Sequence, residues 1–122
     1  MADEQRRAGV LEIQIDGEIH DVAGDFEIGM GVPKRETMIG PSGWQGYTET
    51  HQAAFIAGDV RDRRNLDVKA MLSLNNATIT ARMANGKVYV LRQAAQVGEG
   101  TVNSGTAAIP VRFEGASMEE IR

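Results

Sequence analysis

The chain has 122 residues, a formal net charge of −4, 14 glycines and no cysteine, a length that fits one domain around one core. Without cysteine there is neither a disulfide scaffold nor thiolate chemistry, and the acidic balance argues against broad affinity for nucleic acid, which comes from Lys and Arg neutralising phosphates. No apolar run approaches the roughly 20 residues that cross a bilayer, and Met1-Ala2-Asp3-Glu4-Gln5-Arg6-Arg7 is not followed by the apolar stretch of a signal peptide; a soluble chain without membrane insertion is expected.

Residues 1–9 read as an N-terminal arm. Val10-Leu11-Glu12-Ile13-Gln14-Ile15 alternates with period two, and Asp16-Gly17 is a type I′ turn signal leading into Glu18-Ile19-His20-Asp21-Val22-Ala23. This first hairpin is expected to bury Leu11, Ile13, Ile15 and Val22 and to turn Glu12, Gln14 and Asp21 outward beside Ile19. Phe26 to Met30 continues extended. Gly31, Pro33, Gly40, Pro41, Gly43 and Gly46 then punctuate residues 31–52, which read as a long loop. Loops of that length in compact domains usually touch a partner, and Trp44, Tyr47 and Met38 are the anchors an interface uses.

A buried strand is expected from Ala53 to Val60. Residues 65–74 carry the one helical pattern, with Asn65 as N-cap, Asp67 in the first turn and Leu66, Ala70 and Leu74 at i, i+4, i+8. Residues 77–84 and 87–95 flank Asn85-Gly86, read as a two-residue turn. That register puts Ile79, Ala81, Met83, Val88 and Val90 on one face, and Thr78, Thr80, Arg82, Lys87, Tyr89, Leu91 and Gln93 on the other. A flexible stretch over 97–106 and a last strand over 107–113 follow. Pro110 cannot donate to a ladder, so that strand should lie at an edge or face one N–H side away from a partner. Residues 116–122 look like a mobile acidic tail.

The chemistry-bearing residues form no reactive pattern. His20 falls in a strand, and His51 in Glu49-Thr50-His51 has no second histidine at ligand spacing. Ser42, Ser73, Ser104 and Ser117 lack a Gly-x-Ser-x-Gly elbow, and Gly40-Pro41-Ser42-Gly43 lacks the Lys-Ser/Thr of a phosphate loop. Lys34-Arg35, Arg61 and Arg63-Arg64 are interleaved with Glu36, Asp59, Asp62 and Asp67, the pattern of a solvated, ion-paired surface. The reading is a chain with no catalytic residue, no metal site and no cofactor.

Gly24-Asp25-Phe26, Lys34-Arg35-Glu36-Thr37, Gly40-Pro41-Ser42-Gly43-Trp44-Gln45-Gly46-Tyr47, Asp62-Arg63-Arg64-Asn65-Leu66-Asp67, Ala84-Asn85-Gly86-Lys87 and Val111-Arg112-Phe113-Glu114-Gly115 stand in an order that resembles the tail tube proteins of Mu-like contractile-tailed phages. Two stretches depart from that pattern. Thr48-Glu49-Thr50-His51-Gln52 lacks the proline expected there, and Arg92-Gln93-Ala94-Ala95 stands where Asn and Trp are usual. The resemblance implies a mainly β chain, a β-sandwich-like or barrel-like domain with one short α-helix and a long interaction loop. It implies assembly into hexameric rings with a continuous inner β-barrel, stacked as the conduit for DNA.

On that resemblance the partners are further copies of the chain, a tail sheath protein, a baseplate or initiator and a tail terminator; DNA passes without specific binding. The place is the virion tail, with assembly in the bacterial host cytoplasm. Lys34, Arg35, Glu36, Gly40, Trp44, Gly46 and Tyr47 correspond to the loop that reaches neighbouring subunits. Glu12, Gln14, Glu18, Asp21, Thr78 and Thr80 are candidates for the lumen wall, because a passage for DNA needs a neutral or acidic lining. The alternatives are the tube of a phage-like bacteriocin or secretion machine and, from another class, a small β-barrel binding module, for which the dispersed aromatic residues give little support.

Overall fold

The computed structural model describes residues 10–102 and 104–122; the arm expected over 1–9 and the side chains of Val10 and Leu11 lie outside what it describes. The fold is mainly β. Strands β1 (Val10–Ile15) and β2 (Glu18–His20) form the first hairpin, with Ile15 opposite Glu18. Asp16 and Gly17 both have positive φ, 53° and 87°, as a type I′ turn requires. Then come β3 (Glu27–Gly29), β4 (Lys34–Gly40), β5 (Gly43–Thr50) and β6 (Ala54–Arg61). The helix α1 (Val68–Leu72) precedes β7 (Ala77–Met83), β8 (Val88–Gln96), β9 (Ala108–Gly115) and β10 (Ser117–Ile121).

All pairings are antiparallel, in the order β2-β1-β7-β8-β9-β6-β3, with β10 also on β8. Only one residue, Ala116, separates β9 from β10, and together they run along β8 as one bent ribbon. Arg92 faces Ser117 before the bend and Ala95 faces Glu114 after it, with the register unchanged. The bend folds the ribbon so that β2, β1, β7 and β10 fall on one layer and β9, β6 and β3 on the other. Ile13, Ile15, Ile79, Ala81 and Leu91 of the first layer meet Ile56, Val60, Ile109, Val111 and Phe113 of the second, and α1 contributes Met71 to the same core.

Several expectations are corrected. The helix is shorter than residues 65–74, and its cap is Asp67, whose carboxylate accepts from the Ala70 N–H at 3.1 Å; Asn65 instead accepts from Arg63 Nε. The turn at Asn85-Gly86 holds three residues, not two. Gly86 N donates to Met83 O, Met83 N donates to Lys87 O, and only Gly86 of the turn has positive φ, which is a type I turn closed by a glycine bulge. One extra residue slips the register by one and exchanges the faces of β8. Tyr89 and Leu91 therefore stand opposite Ala81 and Ile79 on the core side, while Val88 and Val90 stand opposite Arg82 and Thr80 on the outer side.

Residues 34–50, read as a loop, form a two-stranded sheet of their own. Residues 117–121, read as part of a mobile tail, are strand β10, tied to β8 by the Lys87–Glu120 ion pair at 2.8 Å. The last long strand lies between two neighbours: β9 pairs with β6 along its whole length, but with β8 only at Phe113 and Glu114. At the level of Pro110 the ladder is thus one-sided, which is where a residue without an N–H is tolerated.

Gly58 faces Val111 on the core side, and the Phe26 ring occupies the space above it: a Cβ there would lie 2.5 Å from ring carbons. Gly58→Ala should therefore displace Phe26 and cost about 1–3 kcal/mol, as overpacking does. In a Phe26→Ala background the same change should cost much less, a double-mutant cycle that thermal or urea unfolding of the four proteins resolves.

Candidate assembly surfaces

Strands β4 and β5 pair only with each other and leave the sandwich as an arm. Its end is the Pro41-Ser42 turn between Gly40 and Gly43. Arg35 faces Glu49, Thr37 faces Tyr47, and after a shift of register Ile39 faces Trp44. Gln45 is the extra residue of that bulge, and its side chain lies across Gly40, where a Cβ would meet it at 2.1 Å; Gly46 takes φ 115°, a conformation for which glycine is suited.

Without the bulge, strict alternation would turn Trp44 away from Tyr47. With it, Ile39, Trp44, Thr37 and Tyr47 share a face, continued by the Arg35–Glu49 ion pair at 2.9 Å and by Arg35 stacked 5.1 Å from the Tyr47 ring centroid. The opposite face carries Lys34 and Glu36, ion-paired at 3.3 Å, with Met38, Gln45, Thr48 and Thr50. The arm is two-sided in chemistry yet buried on neither side: Ile39 is 76% and Trp44 70% exposed. All seven residues singled out in this segment lie on the arm, and Ile39 joins them as the cross-strand partner of Trp44.

A second surface is the outer face of the first layer. Ile19, Gln14, Thr80, Val90 and Glu119 form one transverse row; Glu12, Arg82, Val88 and Ile121 form the next. Gln14 Nε2 donates to Glu12 Oε2 at 3.0 Å, and the cations of this face are met by acids, Arg82 by Glu12 at 3.6 Å and Arg92 by Glu119 at 2.9 Å. Glu12, Gln14, Thr78 and Thr80 thus share a face as expected. Glu18 does not join them: it lies opposite Ile15, on the core side of the sheet margin, and pairs with Arg63 at 2.8 Å. Asp21 lies past the end of β2, where its carbonyl accepts from Arg61 N and the chain crosses to a single bridge between Val22 and Val60.

The margins of this layer are β2 and β10. In a two-residue hairpin the turn-closing pair is hydrogen-bonded, so Ile19, the next residue, points its N–H and C=O outward. That carbonyl is met by Arg63, whose Nη1 donates to it at 3.4 Å while Nη2 holds Glu18 and Nε holds Asn65 Oδ1. The free side of β10 has no ladder partner among the described residues.

His20 is 3% exposed beside a cleft of about 300 Å³ that Ile15, Leu66, Asp67 and Met71 also line. Its Nδ1 is buried without a hydrogen-bond partner among the described residues. Burial pushes its pKa below the ordinary histidine value of about 6.5; Glu18 and Asp21 oppose that shift and Arg63 adds to it. Among the described residues no three His, Cys, Asp or Glu side chains converge as metal ligands do. His51 is exposed on the segment that leaves the arm.

An arm uncovered on both faces and two sheet margins on one layer describe a part made to be joined to others. The family model for phage tail tube protein matches residues 4–120. This chain belongs to the phage tail tube family. A search of curated proteins finds no significant match. The membership gives the chain a structural role in the tail tube of a virion, built by self-assembly, in a family that is not enzymatic.

Because the folded state binds a proton at His20 less readily than the unfolded chain does, the subunit should be at full stability above about pH 6.5 and lose stability as pH falls through that value towards the depressed pKa. Replacing His20 by Leu should flatten the melting temperature between pH 6.5 and 5, where ordinary carboxylates stay ionised. An unchanged slope in the variant would assign the dependence to other groups.

Proposed function

We propose that this tail tube chain is the subunit of a Mu-like contractile tail, in which copies close into hexameric rings and the rings stack into the conduit that delivers DNA. The observation that carries the reading is the pair of margins, β2 and β10, on opposite sides of one layer. Joining the β2 side of one copy to the β10 side of the next is a head-to-tail contact, which closes into a ring when the rotation allows and removes the aggregation hazard of open strands.

The outer face of that layer then lines the bore. With strands about 4.8 Å apart and tilted about 45°, six copies giving five strands each, β2, β1, β7, β8 and β10, make a backbone barrel on the order of 65 Å across, which leaves room for side chains around a duplex. Among the described residues the acids and ion-paired arginines of this face offer no free cation to hold phosphates, which suits transit over binding. Glu12, Gln14, Thr78 and Thr80 are the lining residues in this reading. The arm reaches from one ring to the next, and the sheath, baseplate or initiator and terminator are the further partners, assembled in the host cytoplasm. A bacteriocin or secretion tube would share this architecture; capsid genes beside the coding sequence separate the two.

Negative-stain microscopy of the concentrated protein should show rings or hollow fibres. Replacing residues 34–50 by a short glycine linker should leave the melting temperature of the subunit nearly unchanged, because the arm adds no residue to the buried core, and should abolish fibres. Fibres of normal length from the armless protein would remove the arm from assembly.

A further inference from the structure

We infer that the apolar end of the arm, Ile39 with Trp44, seats in the cleft between α1 and the loop over 98–102 of a second copy. The inference rests on the tube reading and names the receiving site for its arm. The donor side is defined by the bulge at Gln45. A hairpin that needed only length would keep regular alternation; this one adds a residue that aims Trp44 beside Ile39, with Tyr47 behind them, on a face its own chain leaves open.

The receiving side follows from chemistry. Of three clefts on the subunit, two carry three charged side chains each and the third carries two of opposite sign. The one beside His20 includes Asp16, Glu18 and Asp67, and another holds Asp62, Arg63 and Arg64; seating an indole in either would strip water from polar groups without replacing it. The third, about 470 Å³, is lined by Val68 and Leu72 of α1, by Val102 and by glycine backbone at Gly98 and Gly100, with Lys69, Ser73 and Glu99 as its polar residues. Gly100 borders Leu72 across the cleft: a Cβ there would stand at ordinary van der Waals distance from it, 3.6 Å. Val102 is itself an exposed apolar residue, 46% accessible. An ammonium at the rim is the group that favours an aromatic face beside it.

A contact of two side chains is far smaller than the interface a stable dimer needs. It therefore does not join free subunits in dilute solution. Repeated around a ring whose copies are already aligned, the same contact acts as one of many linked contacts and locks ring to ring.

Trp44 is the only tryptophan in the chain, so the unmodified protein reports on the contact. Its emission should be that of an exposed indole in the dispersed subunit and should shift to the blue as tubes form. Val102→Asp, a change at an exposed position, should leave the subunit folded and reduce or abolish both the shift and the tube length. The chain has no cysteine, so Ile39→Cys combined with Val102→Cys should, on oxidation of assembled tubes, give a ladder of disulfide-linked multimers. Either single variant should give dimers at most. Tubes whose Trp44 emission stays that of an exposed indole, or oxidised double-variant tubes without the ladder, would overturn this seating while leaving the tube reading intact. Absence of any polymer from the unmodified protein would overturn both.

Discussion

The architecture depends on a bend that two strands make together. At Gly115 a side chain has no room: a Cβ would lie 2.6 Å from the Arg92 carbonyl oxygen, and that oxygen accepts from Ala116 N. Across from Ala116, Gln93 takes φ 53°, a conformation costly for a residue with a Cβ. The ribbon of β8 with β9 and β10 turns at this point without changing register, so one continuous ladder feeds two layers. Phe113 on one side and Leu91 on the other, both essentially inaccessible, are brought face to face by the turn. A straight ribbon would leave each layer with an uncovered apolar face.

Where local chemistry and tertiary burial agreed, the fold was legible in the sequence. Asp16-Gly17 demanded positive φ twice and received it, and the alternation around Ile13 and Ile15 told the buried side of β1 correctly. At Asn85-Gly86 the dipeptide marked the turn but not its length; both a two-residue and a three-residue loop accept Gly86 in the left-handed region. The choice between them decides which of Val90 and Leu91 enters the core, and the larger Leu91 fills that place. Glu18 was grouped with Glu12 by sign of charge, although the register across the turn pairs it with Ile15. The bend at Gly115 had no sequence signal beyond one glycine among 14, and β10 was missed because Met118-Glu119-Glu120 looks like a solvated end unless the free side of β8 is known.

The arm was misread for an instructive reason. Alternation in a strand reports burial, and neither face of this hairpin is buried within the subunit, so its glycines and proline dominated the reading. The usable signal was Gly40-Pro41-Ser42-Gly43 set between runs rich in Thr, Ile, Trp and Tyr, residues that favour extended backbone. Picking out the exposed side chains of the segment was easier than assigning its conformation. Exposed aromatic side chains at a loop suggest a partner in any conformation, whereas their common face appears only once the bulge at Gln45 is known.

The two margins of the first layer are not equivalent, and the difference bears on when copies join. Among the described residues β10 offers an open row of backbone groups, while the outward carbonyl of Ile19 on β2 already accepts from Arg63, which is held in place by Glu18 and Asn65. An exposed ion pair of this kind contributes at most about 1 kcal/mol, too little to bar a neighbour that brings a full ladder, but enough to cover one carbonyl in the free subunit. A dispersed chain thus shows a partly covered side and an uncovered one, which disfavours the symmetric pairing of two β2 margins. Two β10 margins meeting would close a dimer and leave two β2 margins outside, whereas β2 against β10, the contact of the proposed tube, leaves an unlike margin free on each copy and can repeat around a ring.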